Sequence, residues 1–397
     1  MGPTALAIVR GLGRHGVDVY GVALTRGEVS YHSRYCRPLW TINPQQRPEL
    51  LCSRLEEFAA ANSSRRIVLF PSGDEYVVFL SGNYYRLRER FDLYEGLAPE
   101  VANRLMGKRA FYELCQSAGV PTAMSRFPQD AEHAQRLADE LTYPCLIKPV
   151  ENTRWRQEFG LRKCFVCSDR RQYLQHLSQL QSFMGNLLIQ EIIPGEESEI
   201  CSYIVYIDRQ GRPQGGVTTR KVRQYPPGFG TGSCVRSSLE PDIVAPSLRV
   251  LQEAGYRGMA EVEFKWCPVQ RVHKVLDVNL RPCRLHSLAE AAGSGSLVHC
   301  FGDLTREPIA VHDQPQKAGI TWIFTIRDVL AIVKGLARGR FGLGQVLRSY
   351  ARPRVWCIWA KDDRMPFFAY FVECVVKTVA LLGRRLMPKH ETKKEQH

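Results

Sequence analysis

The strongest constraint in this 397-residue chain is a run of alternating polar and apolar residues between Gly258 and Gly293 in which acids fall on the polar beats. Glu261-Val262-Glu263-Phe264-Lys265 and Lys274-Val275-Leu276-Asp277-Val278-Asn279 read as neighbouring half-buried strands. Cys267-Pro268-Val269-Gln270 between them is short and turn-like, so an antiparallel hairpin is the economical geometry, with Glu263, Asp277 and Asn279 on one side. Two carboxylates and an amide then converge where nothing apolar calls for them. Three hard oxygen donors suit Mg²⁺ held against phosphate oxygens. Arg281, two residues on and on the same face, is a fork-shaped cation able to bind the same anion. A solvated hairpin with ordinary surface acids is the alternative.

With 44% hydrophobic and 24% charged residues the chain is globular in composition and long enough for two or three domains. The formal charge of +14 invites a nucleic-acid or anionic-membrane partner, but 40 acids are interspersed with 54 bases, so one patch does not follow. The exception is Val329 to Ala360, which has no acid yet carries Lys334, Arg338, Arg340, Arg348, Arg352 and Arg354. Thirteen cysteines are scattered singly with no secretory signal before them, the pattern of reduced thiols in a cytoplasmic protein. Cys164 and Cys167 form a Cys-x-x-Cys inside an apparent strand, where residues three apart point to opposite faces, which speaks against zinc or redox work. No stretch reaches the apolar length that spans a bilayer.

Thr4 to Gly16 reads as a helix, followed by the strand Val17 to Val22, the middle of a βαβ unit. A doubly wound domain places another strand and a Gly-rich turn before such a helix, so its first strand is expected to be missing. Asp74 and Glu75 lie just beyond the buried strand Ile67 to Phe70, where α/β sheets place ligands; a turn with an N-cap is the simpler reading. Lys108 sits near the start of the helical pattern Ala102 to Gly119, and the strand Tyr143 to Pro149 delivers Lys148 at its end. Glu151 to Arg162 reads as a loop with Trp155, several basic residues and only Gly160 for backbone access. Leu187 to Ile193 is a strand closed by Pro194-Gly195, and Arg220 to Pro227 runs into the glycine-rich Gly228 to Ser233. The bland reading of that segment is an edge strand defended by charge. From Gly319 the character changes: a strand at Thr321 to Phe324, an amphipathic helix from Arg327 to Arg338, then the acid-free stretch. Phe367 to Leu382 is an apolar helix with a narrow polar stripe at Glu373 and Lys377. Packing on the protein body is its ordinary explanation, and lying in a membrane interface the sharper one. His390 to His397 is expected to fray.

Val262-Glu263-Phe264-Lys265 followed by Asp277-Val278-Asn279-Leu280-Arg281 resembles the metal-binding hairpin of the ATP-grasp ligases, usually Glu-Phe then Glu-Ile/Val-Asn-Pro-Arg. It departs from that form at Asp277, shorter than Glu, and at Leu280 in place of Pro. The resemblance runs to about Ala310, with two lysines, a hinge and the hairpin in family order. It implies an α/β (α+β) fold: a Rossmann-like domain over 1–100, a two-lobed ATP-grasp domain over 101–315 with lobes at about 101–186 and 187–315, and a basic, amphipathic helical extension over 316–397.

The same resemblance implies ATP with Mg²⁺ or Mn²⁺ as cofactors. Lys108 and Lys148 would reach the phosphates, the hinge at Gln190, Glu191 and Ile193 would read adenine, and Glu197 or Glu199 would hold the ribose. Glu151 to Arg162 takes the place of the loop that folds over the phosphates, and Glu263, Asp277 and Asn279 would hold the metal. Arg281, with Lys221 or Arg223, would stabilise the oxyanion of a tetrahedral intermediate. His286 and Ser287 are further candidates for holding the acceptor. The implied reaction joins a small-molecule carboxylate to an amino-acid-like amine through an acyl phosphate, releasing ADP and phosphate. Two alternatives share the fold: an ATP-binding protein impaired in catalysis, and an enzyme with a bicarbonate or thiol acceptor. No nucleic-acid partner is expected. A homodimer, and a peripheral contact of the extension with the inner face of an anionic membrane, are left open.

Overall fold

The computed structural model describes residues 2–25, 27–160, 162–228, 230–310 and 314–386, so the expected frayed end from His390 to His397 lies outside the described residues. The first helix, Pro3–Gly13, opens on a proline whose missing N–H costs nothing in a first turn, and it buries Leu6, Ile8, Val9 and Leu12. Strands β1 (Val19–Ala23) and β2 (Cys36–Thr41) follow as a parallel pair. Ile67 to Phe70 is extended but joins Asp92 through a bridge at Val68 instead of pairing with β1. Between β1 and that segment lies a cavity of about 740 Å³ walled by Val19, Val22, Leu55, Phe58 and Leu69.

Strands β3 (Ser125–Arg126), β4 (Cys145–Pro149), β5 (Phe165–Cys167) and β6 (Leu187–Glu191) form the small lobe, an antiparallel sheet in the order β3-β6-β4-β5. It has a core of its own, built from Ile147, Trp155, Phe165, Tyr173, Phe183 and Ile189. The expected loop over Glu151 to Arg162 is not one: Asn152–Phe159 is a helix. The physical reason is Trp155, which is 1% exposed and meets Phe159, Phe165 and Phe183 with ring centroids 4.8, 5.6 and 5.4 Å away. Its indole N–H donates to the Arg162 carbonyl at 2.7 Å, so both polar and apolar demands are met inside the lobe.

The large lobe adds β7 (Ile200–Ile207), β8 (Pro213–Tyr225), β9 (Thr231–Ser237), β10 (Gly258–Cys267), β11 (Val272–Asn279), β12 (Thr321–Ile323) and β13 (Arg354–Trp356). Their order in one seven-stranded sheet is β11-β10-β7-β8-β9-β12-β13. The boundary expected at 315 is thereby corrected. Trp322 and Ile323, both fully buried, extend the sheet beyond β9, so the segment after 315 is part of the lobe and not an appendage. Large lobe and N-terminal domain share one core, in which Leu97 and Tyr94 join Met259 and Val262. Gly258, at φ +144°, lets the β10 backbone approach Tyr94 so closely that a Cβ would lie 2.2 Å from the ring.

The last described helix, Met365–Leu386, sets Tyr370 against Phe324, while Phe368, Phe371, Val372, Val375, Val376 and Val379 are exposed. Among the described residues no helix is long and apolar enough to cross a membrane.

Candidate active site

The hairpin forms as its alternation demands. In β10 and β11 Glu263 lies directly across from Asp277 and Glu261 across from Asn279, so all four project from one face. A bulge at Leu276 restores this register after Val275 has paired with Phe264. Asp277 opens onto the cleft between the lobes, yet the protein around it and then the Glu263 carboxylate push its pKa up to about 6. Glu261 is pushed up to about 7, first by burial and then by Glu263, against the pull of Arg281, Arg284 and Lys221. Lys221 answers part of this negative charge, its ammonium lying 3.6 Å from Glu263 and 3.2 Å from Gln224.

Among the described residues no three His, Cys, Asp or Glu side chains form a metal cage by themselves. Glu263 and Asp277 fit the other kind of site, in which two carboxylates hold Mg²⁺ and phosphate oxygens and water complete its shell. Asn279 is engaged on both sides: its amide N–H₂ donates to Glu261 at 3.0 Å and its oxygen accepts from Arg281 at 3.1 Å. It therefore aligns an acid with a cation, and would have to release Arg281 to offer that lone pair to a metal. Arg281 also donates to Asp74 at 2.7 Å, which brings the N-terminal domain to the rim of the site and gives Asp74 more than a turn to make.

Both lysines of the small-lobe side reach this cleft. Lys148, at the end of β4, donates to Gln190 at 2.9 Å, and Gln190 in turn donates to Ser125 at 2.9 Å, so Gln190 orients the lysine. Lys108 is held by the carbonyls of Pro149 and Val150. Burial, then Lys148, lower its pKa to about 8, while Asp277 pulls it back up. Asp277 likewise opposes the lowering that burial imposes on Lys148. The Asp277 carboxylate thus acts electrostatically on Lys148 of the small lobe and on Lys108, whose helix packs in the core shared with the large lobe.

The hinge after β6 is stapled to the hairpin. Lys274 pairs with the Glu191 carboxylate, and Lys265, its cross-strand neighbour, donates to the carbonyls of Ile193 at 2.7 Å and Gly195 at 2.8 Å. Those contacts hold the lobes together and occupy the Glu191 carboxylate and the Ile193 carbonyl, two of the groups expected to read a base. Glu197 accepts from the Gly228 N–H at 2.6 Å and from Arg340 at 3.0 Å, whereas Glu199 leans on Arg220 at 3.6 Å.

Three expectations are corrected. Arg223 is buried and gives both arms of its guanidinium to Asp328, at 2.9 and 2.7 Å, so its charge is used inside the lobe. A register shift in β8 after Lys221 turns it there. His286 is 1% exposed and accepts from the Cys283 N–H at 2.8 Å, burial lowering its pKa to about 4. The Ser287 hydroxyl is taken by the Trp322 indole at 3.1 Å.

The structure also gathers residues that the sequence reading passed over. Glu261 belongs to the same two-residue period that selected Glu263 and could have been found from it. Arg284 and Arg327 both donate to the Thr231 hydroxyl, at 3.3 and 2.9 Å, beside the glycine-rich turn. Gly230 in that turn passes so close to Pro226 that a Cβ would lie 1.9 Å from its carbonyl oxygen. No local pattern points to Arg327, which arrives from beyond β12.

No family model matches the chain. It is 23% identical over 242 residues to a D-aspartate ligase from Enterococcus faecium, covering 58% of this chain and 57% of that protein. With the carbamoyl phosphate synthase large chain of Thermus thermophilus it shares 24% over 245 residues, 54% of this chain and 22% of that one. The chain therefore spans less than two thirds of the length of either relative. A solved N5-carboxyaminoimidazole ribonucleotide synthetase in its ADP complex superposes with a TM-score of 0.61 at 11% identity, over 80% of this chain and 78% of the other. These are ATP-grasp enzymes, and the chain has the ATP-grasp fold.

Proposed function

We propose that this protein is an ATP- and Mg²⁺-dependent ligase that joins a carboxylate to an amine through an acyl phosphate, releasing ADP and phosphate. The observation that carries the reading is the pairing of Glu263 with Asp277, whose charge acts on Lys148 at the end of β4 and on Lys108 held against the carbonyls of Pro149 and Val150. Glu263 and Asp277 would hold Mg²⁺, which would supply charge neutralisation for the transferred phosphoryl group. Lys148, oriented by Gln190, and Lys108 would hold the phosphates. Lys221 and Arg281 lie on the hairpin side, placed to receive negative charge as the γ-phosphoryl moves and as the amine adds to the acyl carbon. Arg284 and Arg327 offer a second pair of cations for the substrate carboxylate. The D-aspartate ligase named above supports an amino-acid-like substrate. Among the described residues no two cysteines are joined by a disulfide.

The test is ADP release by the purified protein with Mg²⁺ and a panel of amino acids and carboxylates, with the condensed product identified by mass. Turnover that is lost in Lys148→Ala and in Asp277→Ala, with the fold intact, is expected. Nucleotide binding without turnover across a broad panel would sink the ligase reading.

A further inference from the structure

A second cavity, of about 600 Å³, lies against β8 and β9 beneath the helices Thr325–Ala337 and Leu343–Tyr350. Arg220 and Arg236 reach it from the sheet face opposite the hairpin acids, and Lys221, Glu196 and Glu197 also line it. Arg220 pairs in register with Arg236 and Lys221 with Val235, so the two arginines share one face while Lys221 reaches Glu263 on the other. The acid-free stretch singled out in the sequence delivers Arg340, Arg348 and Arg352 to this cavity, which gathers its charge in one place.

Ion pairing separates these arginines into two groups. Arg220 is answered by Glu240, with its Nε at 2.7 Å, and Arg340 by Glu197 at 3.0 Å. Among the described residues Arg236, Arg348 and Arg352 meet no acid. Arg348 reaches only the Gly344 carbonyl, at 3.2 Å, and the Nε of Arg236 is buried with no hydrogen-bond partner. Burial, and next to it the charge of Arg352, lower the pKa of Arg236. Like charges directly across a strand pair are unfavourable, and a buried donor without an acceptor is more so. A fold keeps such an arrangement where something else supplies the anion.

We propose that this cavity is a binding site for a small oxyanion of two or more charges, such as a diphosphate group, held by Arg236, Arg348 and Arg352 and separate from the ATP cleft. The guanidinium fork presents paired N–H donors at the spacing of phosphate oxygens, and the volume suits a small phosphorylated molecule.

Calorimetric titration of the full-length protein with inorganic pyrophosphate tests this, with the cleft first saturated by Mg²⁺ and a non-hydrolysable ATP analogue. Binding of the analogue is measured on its own, so a failure of the ATP reading shows separately. Pyrophosphate should still bind, and Arg236→Gln or Arg352→Gln should each weaken it about tenfold or more. Neither variant should change the affinity for the analogue. Each should melt at or above the wild-type midpoint, because the charge removed had no partner. Co-sedimentation with phosphatidylglycerol vesicles that the same substitutions abolish would assign the oxyanion to a lipid headgroup, and pyrophosphate binding without it to a free solute. No pyrophosphate binding to the saturated protein, binding undiminished in both variants, or a lowered melting midpoint in both would overturn the proposal.

Discussion

Lys221 and Arg223 are two residues apart on one strand and have opposite fates. Lys221 keeps its ammonium beside Glu263, while Arg223 is locked to Asp328, with side-chain exposures of 5% and 0%. Removing one partner of a buried pair strands the other, so Arg223→Ala should cost about 3–5 kcal/mol of stability in denaturant melts. Lys221→Ala should leave the melt alone and lower ADP release on the order of 10²-fold. The reverse pattern would restore Arg223 to the site. The paired acids give a pH dependence of definite sign. Asp277, ordinarily 3.8, is raised to about 6, and Glu261, ordinarily 4.5, to about 7. Both bind their proton more tightly in the folded protein, so their contribution to stability is complete below pH 4 and is lost as pH rises through 6 and 7. Bound Mg²⁺ with nucleotide favours the ionised forms. The rise in melting temperature that it produces should therefore be larger at pH 7.5 than at pH 5.5. A rise independent of pH would show that these carboxylates do not face the ion.

The hairpin was legible because a two-residue period specifies which side chains share a face before any tertiary contact is known. The same period contained Glu261, whose role appears only once Asn279 is seen bonded to it. The helix Asn152–Phe159 was not legible: its residues are polar and basic, and its one anchor, Trp155, finds its partners Phe165 and Phe183 in elements that follow. Arg284 and Arg327 were illegible for the same reason, since their meeting at Thr231 depends on the order of strands in the sheet. Such tertiary control makes a specific forecast for the small lobe. Trp155→Ala removes the centre of an aromatic cluster and should destabilise by about 3–5 kcal/mol. Because that lobe has its own core, hydrogen exchange should accelerate in β4, β5 and β6 while β7 and β10 keep their protection. Acceleration spread evenly over both lobes would mean that they unfold as one body.

At the scale of the whole chain, the C-terminal segment closes the molecule on its own beginning. Asp363 accepts from Arg10 at 2.9 Å, from the Ser33 hydroxyl at 2.7 Å and from the Arg34 N–H at 3.0 Å, all on the N-terminal domain. Trp322 packs with Leu6, Val217 and Val235, so one cluster contains the first helix, the middle of the sheet and the last strands. The resemblance to the ligases runs only to about Ala310, and a fragment of residues 1–310 would by that measure hold every residue proposed to bind nucleotide. It would nevertheless lack β12 and β13, expose the apolar edge of β9, and leave Arg10 and Arg223 without Asp363 and Asp328. An open, apolar sheet edge invites association instead of folding. Residues 1–310 should accordingly be insoluble or lack near-ultraviolet circular dichroism. In the full-length chain Asp363→Ala alone should lower stability by about 3–5 kcal/mol, through the buried Arg10 left behind. A soluble fragment that binds nucleotide as the full chain does would show that the segment can be removed without harm to the site.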